Sequence, residues 1–180
     1  MDYGLNNTVV SIESISSYLA DLIKECGNEY WINKFQVDQN ANIHLAVMVQ
    51  PYLSLVLEGK KTIESRYSIN MVSPYKRVKR GDIVLLKKSG GDAVAIFEAG
   101  DIRCYQLKCK KDLFLIKEEF NDQLRIGDDF WEEKENAKYA TLVDIGKLLR
   151  IPQFRINKTS RSGWVTIGPV VRNGGFDASK

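Results

Sequence analysis

Between positions 9 and 26 apolar residues recur three and four apart. Ile12, Ile15, Leu19, Leu22 and Ile23 share one side of VVSIESISSYLADLIKEC, and polar residues fill the other. That spacing predicts an amphipathic helix of about four to five turns, stopped by Gly27. Residues 30–42 alternate loosely and read as a strand or an extended connector. IHLAVMV (43–49) has the length and composition of a buried strand, and Pro51 then opens a short helix that ends at Gly59.

Downstream the period is mostly two. Residues 60–68 are strand-like, and a loop passes through Ser73-Pro74. Residues 81–89 and 92–107 read as two strands joined at Gly90-Gly91, with Gly100 marking a bulge or bend. Residues 111–136 are helical but irregular, with Phe114, Ile116, Phe120, Phe130 and Trp131 as core anchors. Strands follow at 139–145 and 163–168, and residues 169–180 read as a flexible tail. Strands linked by short loops rather than by helical crossovers predict an α+β fold: a small mixed β-barrel with helices packed outside it.

Composition narrows the chemistry. The chain has 180 residues, 44% of them hydrophobic, enough for one core. No apolar run approaches the roughly 18 residues of a membrane span, and no basic stretch precedes an apolar block as in a leader, so a cytoplasmic protein is expected. Three cysteines without a CxxC pair and a single histidine, His44, give no thiolate metal site, no disulfide framework and no histidine-based triad. Neither a metal nor a cofactor is expected. His44 opens an apolar strand and reads as a structural residue.

The net charge of +3 conceals a strong segregation. Residues 1–58 carry a balance of −5, residues 59–111 one of +8, residues 112–146 one of −6 and residues 147–180 one of +6. Two basic segments folded onto one face would attract a polyanion; the plainer alternative is a set of separate solvated faces.

The segment richest in chemistry is Gly59-Lys60-Lys61-Thr62-Ile63-Glu64-Ser65-Arg66. In an extended conformation Lys61, Ile63 and Ser65 face one way and Thr62, Glu64 and Arg66 the other. Glu64 would then orient the Arg66 guanidinium, whose fork suits a phosphate or a base edge. A surface ion pair on an edge strand explains the same spacing. Lys87, Lys88 and Ser89 end a strand and can meet phosphates or simply protect an edge. Tyr139 and Trp164 can stack on an unpaired base or pack in the core.

These residues resemble the ASCH domain family of the PUA-like superfamily. Its signature Gly-x-Lys-x-x-Glu-x-Arg is matched by Gly59, Lys61, Glu64 and Arg66. A Gly-Asp pair opening a strand is matched by Gly81-Asp82, with Ser89 at the strand's end. Tyr139, Lys158 and Gly163-Trp164-Val165 are similar to the family's closing segments. The likeness spans about residues 43–168, with residues 1–42 as an added helical extension. It implies a barrel with a cleft into which the signature projects, and RNA binding.

Some family members act as amidohydrolases on acetylcytidine, using the motif lysine, a threonine three positions later and a downstream glutamate. Lys61 matches the lysine, but Glu64 stands where the threonine would be, and a carboxylate cannot replace a hydroxyl nucleophile. The downstream glutamate has no residue-level match, because the insert falls around Glu118 and Glu119.

The expected function is binding of RNA, a nucleotide or a modified nucleoside in a basic cleft. Its ligand contacts are Gly59, Lys61, Glu64, Arg66, Lys87, Lys88, Ser89, Tyr139, Lys158 and Trp164. In an enzyme, a ribonuclease or an amidohydrolase-like hydrolase, Lys61 and Glu64 would be the catalytic pair. The third possibility is a degenerate cleft and a protein partner bound through the N-terminal helix. Burial of Lys61 and Arg66 in internal ion pairs, with no open cleft, would favour it.

Overall fold

A computed structural model describes residues 8–37 and 40–171. The chain runs through β1 (Val9–Ser11), a 3-10 turn (Ile12–Ser14), α1 (Ile15–Cys26), α2 (Glu29–Val37), β2 (Asn42–Met48), α3 (Tyr52–Leu57) and β3 (Ile63–Ser68). There follow β4 (Ile83–Lys88), β5 (Ala93–Gln106), α4 (Lys110–Leu124), α5 (Asp128–Glu133), β6 (Tyr139–Asn157) and β7 (Trp164–Pro169). The seven strands form one sheet in the order β1-β6-β5-β4-β2-β7, with β3 branching onto β6.

The fold is α+β, as the pattern predicts, but the hydrogen-bonded path is open: it ends at β1 on one side and β7 on the other. The expected closed barrel is therefore not formed by strand ladders. Part of the reason is a crossover that the short loops concealed. Strands β2 and β4 are parallel, Ile43 beside Ile83 through Met48 beside Lys88. A parallel pair cannot be joined by a tight turn. The connecting segment carries α3 and β3 out to the far side of β6.

Alternation on the central strands sorts the core into two faces. Ile43 and Leu45 of β2 and Ile83 and Leu85 of β4 pack under α1 and α2, together with Trp31 and Phe35. Ala46, Met48, Val84 and Leu86 face the other way, toward Leu53 and Val56 of α3. Burying both faces explains the unbroken apolar runs in these strands. A third cluster seats α4 and α5 on β3 and β6 through Leu113, Ile116, Phe120, Leu124 and Trp131. Full burial of each such side chain contributes about 1.5–3 kcal/mol.

Several local expectations hold. Pro51 precedes α3, and Gly59 follows it at φ +71. The β5–β6 register shifts across Ala99–Ile102, the bulge foreseen at Gly100, where a Cβ would stand 3.2 Å from the Asp144 carbonyl oxygen.

Others change. The helix expected over 9–26 begins at Ile15, because Val9–Ser11 pair in parallel with Arg155–Asn157. Residues 29–37 are helical, not extended: Trp31 and Phe35, four apart, are both buried, and the Asn28 carboxamide accepts the Trp31 N–H at 3.2 Å. The strand expected at 139–145 continues to Asn157. Residues 169–171 are tied down, since Val170 N–H donates to Ala41 O and Val171 N–H to Ser16 Oγ. Residues 172–180 of the expected tail lie outside the described residues. Among the described residues no helix is long and apolar enough to cross a membrane. The apolar stripe of α1 is spent on the core through Ile15, Leu19, Leu22 and Ile23, leaving its polar side outward.

Candidate functional site

The signature segment lines a cleft of about 530 Å³ between β3, the end of β2 and the acidic insert. Such a volume lies within the range of roughly 300–1,000 Å³ typical of small-molecule sites. Lys61, Glu64, Ser65 and Arg66 meet Tyr52 and Tyr67 there, with Asp129, Phe130, Glu133 and Lys134 of the insert opposite.

Lys61 reaches the cleft by a route the alternation did not foresee. Residues 60–62 are not strand. The N–H groups of Lys60 and Lys61 both donate to Leu55 O as the chain leaves α3, and β3 begins only at Ile63. The turn swings Lys61 onto the Glu64 side. Its Nζ donates to Leu124 O at 2.8 Å, lies 3.6 Å from Glu64 Oε2 and sits 5.7 Å from the centre of the Tyr52 ring. Lys61 is only 2% exposed. Burial pushes its ammonium below the ordinary lysine value; Glu64 opposes that shift and Arg66 adds to it.

Glu64 and Arg66 do share a face, as expected. Arg66 Nε lies 2.9 Å from Glu64 Oε1. The rest of the guanidinium reaches across the open side of the sheet, donating to Gly163 O at 3.2 Å and Val47 O at 3.0 Å. Its face stacks over Trp164, 5.4 Å from the ring centre. Arg66 thus joins β3 to β2 and to the segment before β7 where no ladder does.

The Tyr67 hydroxyl is buried with no partner in hydrogen-bonding geometry. Burial pushes it well above the ordinary tyrosine value, the Ser65 hydroxyl opposing and Glu64 adding. Phe130 stands between the two tyrosines, 6.2 Å from Tyr52 and 5.7 Å from Tyr67 in edge-to-face contacts, so one wall of the cleft is aromatic.

The remaining predicted site residues are elsewhere. Gly59 caps α3 at the entrance to the signature. Ser89 N–H donates to Met48 O, which brings the end of β4 close to the cleft without lining it. Lys87, Arg155 and Lys158 gather at the outer ends of β4 and β6. Burial lowers the Lys87 pKa, Asp92 opposing and Lys158 and Arg155 adding. Lys88 ends β4 beside them and is exposed. Tyr139 packs edge-on against Tyr75 at 4.9 Å. Trp164 is buried, covered by Arg66, and donates from Nε1 to His44 Nδ1 at 3.2 Å.

His44 belongs to a separate buried node. Its Nε2 faces Asp82 Oδ2 at 2.9 Å, and the same carboxylate accepts the backbone N–H groups of Asn42 and Lys79. Because the Trp164 indole can only donate, His44 Nδ1 accepts and Nε2 carries the proton. The Gly-Asp hallmark is thus a clamp between the starts of β2 and β4. Among the described residues no group of three or more His, Cys, Asp or Glu side chains is arranged to hold a metal.

Sequence reasoning missed Tyr52, Tyr67, Asp129, Phe130, Glu133 and Lys134. Phe130 was legible as apolar, but not as half-exposed in a cleft, and nothing in the insert announced that it closes over the signature.

Comparison with known proteins gives one family. The family model for the ASCH domain matches residues 47–160. Solved structures similar to this chain include the ASCH protein of Zymomonas mobilis, at 9% identity and a TM-score of 0.51, covering 63% of this chain and 73% of that one. A point variant of the same protein gives 10% identity and a TM-score of 0.52, over 65% and 76%. At such identities the likeness is one of fold. No curated protein matches the sequence.

Proposed function

The chain is a member of the ASCH domain family, and from that membership we propose that it binds RNA through a single unpaired nucleotide held in the signature cleft. The observation that carries this reading is the cleft itself: an open hollow of nucleotide size, with an aromatic wall and the Lys61–Glu64–Arg66 group at its floor. Association of ASCH domains with RNA supports the choice of ligand. The bases at Lys87, Lys88, Arg155 and Lys158 lie outside the cleft, where they suit contact with a flanking phosphate backbone. The described part of the extension, residues 8–37 and 40–42, serves as a structural cover, its apolar side turned inward.

The test is a fluorescence-anisotropy titration of labelled single-stranded RNA at two salt concentrations. Lys61→Met, which keeps the side chain's length without its charge, should weaken binding about tenfold, because Glu64 at the cleft floor loses the cation beside it, a loss of about 1.5 kcal/mol. Lys87→Ala should shallow the salt dependence by about one unit. Equal binding by native protein and Lys61→Met would remove the RNA from the cleft. No binding at low salt would end the proposal.

A hydrolytic role for Lys61 and Glu64 is the second reading, and one observation favours it: burial shifts Lys61 toward the neutral form a base requires. Against it, Nζ is already donating to Leu124 O, and position 64 carries no hydroxyl. Product formation that depends on Lys61 and survives EDTA would establish it.

A further inference from the structure

The cleft is not basic. Its lining holds three cations, Lys61, Arg66 and Lys134, against three carboxylates, Glu64, Asp129 and Glu133. Two of the cations are anchored from within. Lys61 is buried and bonded to a carbonyl, and Arg66 donates from both terminal nitrogens to main-chain carbonyls, its buried Nε lying 2.9 Å from Glu64 Oε1 outside hydrogen-bonding geometry. Lys134 lies over Phe130 and 3.8 Å from Glu133. Two of the acceptors are more open to solvent than these cations. Glu64 Oε2 is 3.6 Å from its nearest cation, longer than a hydrogen bond, and Asp129 and Glu133 are exposed at the rim. The Tyr67 hydroxyl is buried beneath this lining with no partner in hydrogen-bonding geometry.

From this balance we infer that the cleft takes the uncharged, N–H-bearing edge of a nucleobase and excludes its phosphate. The inference rests on the nucleotide reading of the same cleft and narrows it. A flat heterocycle meets the aromatic wall of Tyr52, Tyr67 and Phe130. Its amine and ring N–H groups find carboxylate oxygens, the pairing by which acidic side chains read exocyclic amines. A phosphate would stand among three carboxylates, facing two cations already held in place by main-chain carbonyls, and like charges repel. The phosphate's place is on the outer bases around Lys87 and Lys158, so that base and backbone are read at separate stations.

The experiment compares adenosine with adenosine 5′-monophosphate by isothermal titration, on the native protein and on an Asp129→Asn/Glu133→Gln double variant. Both substituted residues are exposed, so the variant should fold, and a thermal melt checks it. The native protein should bind the nucleoside at least about threefold more tightly than the monophosphate. The double variant should erase or invert that preference, because two of the three carboxylates that repel phosphate are gone. Tighter binding of the monophosphate by the native protein, or a preference the double variant leaves unchanged, would overturn the inference while leaving the nucleotide cleft standing. Failure of both ligands to bind, under conditions in which RNA also fails, would instead bring down the nucleotide reading.

Discussion

Asp82 and Glu64 are both buried carboxylates, and each belongs to one of the two motifs on which the sequence resembles the family. Their surroundings differ in kind. Asp82 accepts from two backbone N–H groups and from His44, all within hydrogen-bonding distance. Glu64 has one close cation, one distant cation and a cleft in front of it. A carboxylate saturated by neutral donors holds strands together. One held between charges at the edge of a hollow retains acceptor capacity for something else. Two motifs of equal apparent weight in the sequence therefore divide into a clamp and a site.

The comparison breaks most sharply at Asp82. Asp82→Ala would leave one buried and two part-buried donors without their acceptor and free the start of β4 from β2. Each stranded group costs about 1–3 kcal/mol, so a loss of about 3–5 kcal/mol is expected. For a chain of this size that is a fall in Tm of the order of 10 °C or more. Urea denaturation of native and variant protein measures it directly. A loss under about 1 kcal/mol would mean that the clamp is redundant and the contrast with Glu64 false.

How far the sequence could carry this division is instructive. The helix between Pro51 and Gly59, the bulge at Gly100 and the shared face of Glu64 and Arg66 were all legible, because each depends on residues within a few positions. The convergence of Lys61 on Glu64 was not. It depends on residues 60–62 leaving α3 as a turn, and alternation assumed from residue 61 places the two on opposite faces. Helix α2 was misread because its buried residues are few, Trp31 and Phe35 in nine positions, and the polar residues between them imitate a loose alternation. The positive cleft was misjudged for a further reason. Charge counted along the chain placed the basic stretch of 59–111 at the site, whereas folding brings Asp129 and Glu133 of the acidic insert over it. Only tertiary structure determines which charges share a hollow.

Lys61 offers a second test of the contrast, smaller in stability. The native protein holds a desolvated Lys61 side chain, and its removal relieves that cost while leaving Leu124 O without its donor and buried Glu64 with Arg66 as its remaining cation. The two effects oppose one another, so Lys61→Met should change stability by about 1 kcal/mol or less, in either direction. A saturated clamp residue cannot be removed so cheaply. If Lys61→Met instead costs as much as Asp82→Ala, the signature lysine is a scaffold element, and the binding loss expected of it would be a consequence of unfolding.

The smallest expected effect is also the most diagnostic, because its sign is opposite to that of Asp82→Ala. Tyr67→Phe removes a buried hydroxyl that has no partner in hydrogen-bonding geometry, the Ser65 hydroxyl being its polar neighbour. It should therefore raise stability at neutral pH by about 1 kcal/mol, the desolvation cost of the stranded group. The pH dependence follows from the same burial. The folded-state pKa of Tyr67 lies above the ordinary value of 10.0, so above about pH 10 the unfolded chain releases this proton while the folded chain keeps it. That proton favours neither state below pH 10. Above it, stability falls with rising pH until the folded pKa is reached. Tyr67→Phe should lose this component, so its advantage over the native protein should widen between about pH 10 and 11 in matched urea titrations. A variant that is less stable than the native protein at neutral pH would show that the hydroxyl is satisfied after all, and would remove one of the free polar groups on which the cleft's character rests.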